Sequence, residues 1–246
     1  MKLNKNNMKL KLSLIVLMTI VFSGAQAQFY MGPRAGVNLA NMSTNAAGTT
    51  NAMKIGIVGG LTTKWTFAKN ISLLGDALFS QQGTESTLAL AAPDGSIMST
   101  AVTSSTFNYV SVPVMINLGV PIKSAKRVPY RMGGSFATWN LNAGGYFGYA
   151  LSVNSNTTTT TAGAPPVVTT SGGKVDAAGY NAVDFGIAVG TGFTFEMDPR
   201  NFLSIDARYM IGMGDTDPTD AVSSKNNVIG VSLSYVYRLT TRTIRR

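Results

Sequence analysis

Residues 138–151 read TWNLNAGGYFGYAL and alternate with period two. Trp139, Leu141, Ala143, Phe147, Tyr149 and Leu151 share one parity, and Thr138, Asn140, Asn142, Gly144 and Gly148 the other. Side chains of an extended strand alternate between its faces, so the stretch is a strand with one apolar face and one face that is polar or tiny. The same pattern recurs at 34–39, 54–67, 71–80, 110–118, 183–196, 203–211 and 231–239. Between these runs lie segments rich in Gly, Ser, Thr, Asn and Asp, the composition of turns and loops.

Ahead of the strands, Lys2, Lys5, Lys9 and Lys11 precede an apolar run at 12–22 and then Ala25-Gln26-Ala27. That order is a secretory signal with its cleavage site after Ala27. The apolar run is too short for a spanning helix, which needs roughly 20 residues. No later stretch reaches that length either, so membrane insertion of the mature chain requires strands closed into a barrel. The expected layout is a signal peptide at 1–27, a barrel at 28–239 and a basic periplasmic tail at 240–246.

Period two cannot by itself say which face is wet; the content of the polar face does. It carries few charges and is otherwise mostly Gly, Ser, Thr and Asn, suited to a narrow interior. Aromatics on the apolar face gather toward strand ends, with Phe29, Trp65, Phe67, Trp139, Phe195 and Tyr237 at one rim and Phe79, Tyr149, Phe185 and Tyr209 at the other. Two such girdles match the two interfaces of a bilayer. The fold class is therefore all-β, an eight-stranded antiparallel transmembrane β-barrel in the cell outer membrane, in contact with outer-membrane lipid after Sec-type export.

Long polar connections at 41–53, 83–103, 154–180 and 212–226 alternate with tight turns at 68–70 and 197–200, as outer and periplasmic loops do. The Thr157–Thr161 run with Pro165 and Pro166 reads as a flexible outer loop. The connection at 119–137 breaks the alternation, being long and basic where a short periplasmic turn belongs. Pro33 and Pro113 lie within strands and predict a bulge or a missing ladder bond at each. Phe107 and Tyr109 fall on the polar parity, which predicts a bulge or a later strand start.

"GPRAGVNLANM", "YVSVPVMINL", "LNAGGYFGYAL", "VDFGIAVGTGFTFE" and "NVIGVSLSYVYRL", in that order, resemble the PorT-like outer-membrane β-barrel domain family of Bacteroidota. The resemblance spans about residues 29–239. It implies an eight-stranded outer-membrane barrel and carries no catalytic set with it.

The chain contains no His and no Cys. The usual general base, the commonest metal ligand and the activated thiol are all missing. A carboxylate-only site drawn from Asp76, Asp184, Glu196 and Asp206 is the remaining catalytic option. The stronger expectation is a lumenal charge network of Arg34, Lys64, Asp76, Asp184, Glu196, Asp206, Arg208 and Arg238, because charges in a low-dielectric interior persist as pairs. Asp215, Asp217 and Asp220 lack the spacing of a calcium loop. No catalytic residue, metal site or cofactor is called for.

Four of the 20 basic residues and none of the 11 acids fall in the first 27 positions, so the mature chain is only mildly basic. Export and this mild balance exclude nucleic acid as a partner. Lys123, Lys126, Arg127 and Arg131 form a basic periplasmic rim, a candidate dock for a periplasmic or envelope protein. The functional expectation is a non-enzymatic structural or partner-binding barrel. The alternative is a narrow channel or small-ligand binder, motivated by inner-face glycines at 56, 60, 144, 148, 186, 190 and 192. Against it, an eight-stranded barrel is only wide enough for its own side chains.

Overall fold

The computed structural model describes residues 28–44, 49–91, 97–123, 135–175, 181–214 and 224–240. The described strands are β1 (Gln28–Thr44), β2 (Thr49–Thr66), β3 (Ile71–Ala91), β4 (Ile97–Lys123), β5 (Ser135–Thr161), β6 (Val167–Lys174), β7 (Val183–Glu196), β8 (Asn201–Gly212) and β9 (Ser224–Arg238). All are antiparallel to their neighbours. Eight of them close a ring in the order β4-β3-β2-β1-β9-β8-β7-β5, with β4 pairing back to β5. The ninth, β6, pairs only with the distal half of β5, from Ser152↔Lys174 to Thr159↔Val167.

The ring is inside-out relative to a soluble barrel. Val110, Val112, Val114, Ile116, Leu118, Val120 and Ile122 alternate outward along β4 and are all exposed, while Ser111, Met115 and Asn117 between them are buried. Apolar exteriors over polar interiors are stable only where the outer solvent is hydrocarbon. Trp139 on that outer face donates its indole N–H to Thr191 Oγ1 at 2.8 Å, so its donor is satisfied without water. The outer hollow of about 960 Å³ lined by Leu39, Ile116, Leu141, Val189, Tyr209 and Ile229 belongs to this lipid-facing surface.

The tight turns form where the spacing predicts. Ala68 and Ile71 exchange backbone hydrogen bonds at 3.3 Å, and the Met197 N–H reaches the Asn201 carbonyl at 3.0 Å. Asp198 ties the second turn by accepting from the Arg200 and Asn201 N–H groups at 2.8 and 2.9 Å and from Asn201 Nδ2 at 2.5 Å. Those hydrogen bonds, the Asn201 side chain foremost, hold the Asp198 carboxyl below the ordinary carboxylate range.

The long connections differ from expectation. Residues 83–103 and 154–180 are largely strand: β3 and β4 pair as far as Ala91↔Ile97, and β5 runs to Thr161 before turning into β6. The Thr157–Thr161 run is therefore ladder, not flexible loop. Its composition explains why, since β-branched residues suit extended backbone and side-chain hydroxyls bond across the strands, as in Thr103–Thr157 at 3.0 Å and, nearby, Ser105–Ser155 at 2.9 Å. At 41–53, β1 and β2 likewise extend to Thr44 and from Thr49, and at 119–137 β4 and β5 extend to Lys123 and from Ser135. Residues 124–134 lie outside the described part.

Neither proline marks a bulge. Register is unchanged across Pro33 (Met31↔Tyr237, Arg34↔Ser234) and across Pro113 (Gly75↔Val114, Leu78↔Ser111). Each leaves an interruption in one ladder while the other continues, through Pro33↔Leu61 and Pro113↔Tyr146. This is what a missing N–H does in a strand with neighbours on both sides. The irregularity near Phe107 and Tyr109 lies on β5, where Asn108↔Ser152 is followed by Tyr109↔Ala150 and Leu151 is skipped. On β4 the parity is unbroken, so both aromatics point inward and are each 2% exposed.

Candidate functional site

The inner face decides what the barrel can do, and its side chains form layers. Arg34 on β1, Asp76 on β3, and Asp206 and Arg208 on β8 meet in the middle of the lumen. Asp76 Oδ2 accepts from Arg208 Nη1 at 2.5 Å and faces Arg34 Nη1 at 3.5 Å. Asp206 Oδ1 accepts from Arg208 Nε at 2.9 Å and also from Arg34 Nη2. Each guanidinium thus touches both carboxylates. Thr62 Oγ1 donates to Asp76 Oδ1 at 2.5 Å, and Arg34 Nη2 also donates to Ser232 Oγ at 2.6 Å. The tetrad is buried and internally neutral, the condition under which charges survive in such an interior.

Two apolar layers close the lumen further out. Leu74, Met115, Tyr146, Ala188 and Met210 form one, and Met42, Phe107, Tyr109, Ala150 and Val153 the other. Asp184 lies among them, accepting from Tyr146 OH at 3.1 Å. Two inner-face glycines beside these fillers are closely approached by their neighbours. A Cβ at Gly186 would sit 1.9 Å from the Ile211 carbonyl oxygen and 2.9 Å from Tyr146 Cε1, and one at Gly190 would sit 3.0 Å from Arg208 Cγ. These glycines are where neighbouring backbone and bulky side chains press closest.

Toward the end that carries the turns at 68–70 and 197–200 the lumen opens into a vestibule of about 490 Å³ lined by Tyr30, Lys64, Thr66, Ser72, Asn117 and Phe202. Between it and the tetrad lies a smaller pocket of about 40 Å³, room for a few waters. Asn117 Nδ2 bonds Asn140 Oδ1 at 3.2 Å and Asn142 Oδ1 at 2.7 Å, forming an amide shelf beside that pocket.

The eight residues expected in one lumenal network separate accordingly. Arg34, Asp76, Asp206 and Arg208 come together. Lys64 lines the vestibule and takes part in no ion pair among the described residues. Asp184 is held in the apolar region by Tyr146. Arg238 is the last residue of β9, its guanidinium 5.4 Å from the Tyr30 ring centre and 5.0 Å from that of Phe202. Glu196 ends β7 opposite Phe202. Shared parity puts side chains on one face, but a lumen longer than any side chain separates charges at different heights. Thr62 and Ser232 complete the tetrad and were legible only as members of the polar parity.

Of the basic rim, Lys123 ends β4, while Lys126, Arg127 and Arg131 lie outside the described residues. Asp215, Asp217 and Asp220 lie outside them too. Among the described residues no three metal-ligating side chains cluster. Chemically, each tetrad carboxylate is buried and engaged by both guanidinium groups.

Among solved structures, the chain is similar to OprG from Pseudomonas aeruginosa (12% identity, 88% of this chain and 98% of that chain covered, TM-score 0.44). It is similar also to Neisserial surface protein A (11%, 85% and 97%, TM-score 0.41). A third similar structure is the outer membrane protease OmpT from Escherichia coli (11%, 86% and 95%, TM-score 0.33). A comparison with curated proteins finds no match. The family described as "Outer membrane protein beta-barrel domain" matches residues 24–217, most of the ring up to β8, and β9 completes the closure that it requires. With a closed eight-stranded ring, a lipid-facing apolar exterior and this match over most of its length, the chain belongs to the outer membrane protein β-barrel domain family.

Proposed function

We propose that this protein is a closed, non-catalytic outer-membrane barrel that acts through its ends and not through its lumen. The observation that carries the proposal is the sealed interior, in which the Arg34–Asp76–Asp206–Arg208 tetrad and two apolar layers occupy the bore. The ends are unequal. β7 and β8 are short, whereas β3 to β6 continue past the barrel on the side opposite the tight turns, the outer side in barrels of this kind. That wall exposes Leu90, Ile97, Met98, Val167 and Val168, an apolar set suited to a protein surface. The opposite end presents Lys69, Arg200 and Arg238, joined in sequence by Lys123, Lys126, Arg127 and Arg131, to an acidic periplasmic partner.

Within this proposal the segment at 1–27 is a Sec signal cleaved near Ala27, residues 240–246 are a periplasmic tail, and the chain falls within the PorT-like branch of the family. Planar-bilayer recording tests the sealed lumen. The wild-type barrel should be silent, and a variant with serine at all four tetrad positions should stay silent because the two apolar layers still fill the bore. Reproducible wild-type conductance that shifts with Arg208→Ser would refute the proposal in favour of a narrow channel.

A further inference from the structure

The periplasmic vestibule contains two groups that its own walls leave unanswered. Lys64 lines both the 490 Å³ vestibule and the 40 Å³ pocket above it. The four ion pairs among the described residues all lie within the tetrad, whose charges cancel, so the Lys64 ammonium is uncompensated. Asn117 also lines both spaces, is 1% exposed, and its Oδ1 has no hydrogen-bond partner. Its amide nitrogen is already committed to Asn140 and Asn142.

Six other polar wall residues pair with one another: Thr66 with Ser72 at 2.9 Å, Thr194 with Ser204 at 2.8 Å, and Tyr30 with Gln28 at 2.5 Å. Lys69, at the mouth, adds a second positive charge.

An ammonium in a narrow, low-dielectric bore attracts an anion more strongly than one in open water. A buried acceptor without a donor is costly until one arrives. We propose that the vestibule is a binding site for a small oxyanion that carries a hydroxyl or N–H beside its charge. The anionic oxygen sits on Lys64 Nζ and the donor on Asn117 Oδ1. The site is blind-ended, because the small pocket beyond it ends on Arg34, Asp206 and Arg208 of the tetrad. Its volume is in the range of small-molecule sites.

The test is titration of the isotope-labelled barrel in zwitterionic micelles with inorganic phosphate, glycolate and acetate, followed by NMR. Phosphate and glycolate, which carry both an anionic oxygen and a hydroxyl, should give saturable shifts at Lys64, Asn117 and Asn140. Acetate, lacking the donor, should bind about tenfold more weakly, as loss of one hydrogen bond in a buried site predicts. Lys64→Met should weaken phosphate by at least about tenfold, Lys64→Arg should retain it, and Lys174→Gln, on β6 away from the vestibule, should leave it unchanged. Mobility of unboiled samples on gels verifies that each variant is folded, and localisation of the wild-type shifts decides the matter if Lys64→Met fails to fold. Absence of saturable shifts, or shifts confined to the mouth and insensitive to Lys64→Met, overturns the site. Equal binding of acetate and glycolate overturns the role of Asn117.

Discussion

Replacing Asp76 by alanine removes one of two carboxylates from a ring of two guanidinium groups. Arg208 Nη1 loses its 2.5 Å acceptor, Arg34 Nη1 loses a facing carboxylate, and Thr62 Oγ1 loses the oxygen it donates to. One positive charge is left uncompensated where Asp76 is 3% and Arg34 5% exposed. Breaking a buried pair from one side costs about 3–5 kcal/mol, or roughly two to three and a half powers of ten in the unfolding equilibrium. Asp76→Asn keeps the shape but not the charge and should lose somewhat less.

The decisive comparison is the double variant Asp76→Leu/Arg208→Met, which removes one charge of each sign. Its loss should fall short of the sum of the singles by about 1–3 kcal/mol, the coupling of groups in one network. Urea unfolding of barrels refolded in phospholipid vesicles, with the folded fraction read from gel mobility of unboiled samples, measures all of these. Single variants within about 0.5 kcal/mol of wild type, or a double variant equal to the sum, would show that the tetrad is not a coupled, sealed network.

Ile116→Arg, on the outer face of β4, should destabilise the barrel in vesicles by about 2–4 kcal/mol, whereas a water-facing position would tolerate it; the same unfolding assay distinguishes them. Phe107→Ala should cost about 3–5 kcal/mol because the ring is sealed in the outer apolar layer, and an exposed loop aromatic would show almost no loss. Gly186→Val should abolish the compact, heat-sensitive gel band, since the added carbons collide with the Ile211 carbonyl and the Tyr146 ring. Asp198 is held below the ordinary carboxylate value of 3.8, chiefly by the Asn201 side chain. Its contribution is therefore complete above the unfolded-state value and is lost as pH falls through the lower folded-state value. Asp198→Asn should flatten that acid limb of the stability profile, and an unchanged limb would remove Asp198 from its cause.

Phe107 and Tyr109 show where strand patterning stops being informative. Their parity pointed inward all along, but aromatic side chains on a polar face looked like an error of register until the skipped Leu151 on β5 located the irregularity on the other strand. The threonine-rich segments show a different gap. Outside the bilayer both faces of a ladder can be wet, so no hydrophobic alternation distinguishes strand from loop, and only the pairing of Thr103 with Thr157 and its neighbours reveals the extension.

Alternation along each run, a polar face too sparsely charged to meet bulk water, and the absence of His and Cys were properties of the chain alone. They determined the architecture, its membrane setting and the loss of the usual catalytic and metal-binding chemistry, because each depends on local periodicity or composition. Which charges meet was decided by the closed ring. Asp76 and Arg208 are distant in sequence and on strands that are not neighbours, and they touch only because the bore is narrow enough for side chains from opposite walls to reach its centre. Strand stagger set their height, bringing Arg34 and Asp206 to the same level and leaving Lys64 below them in the vestibule.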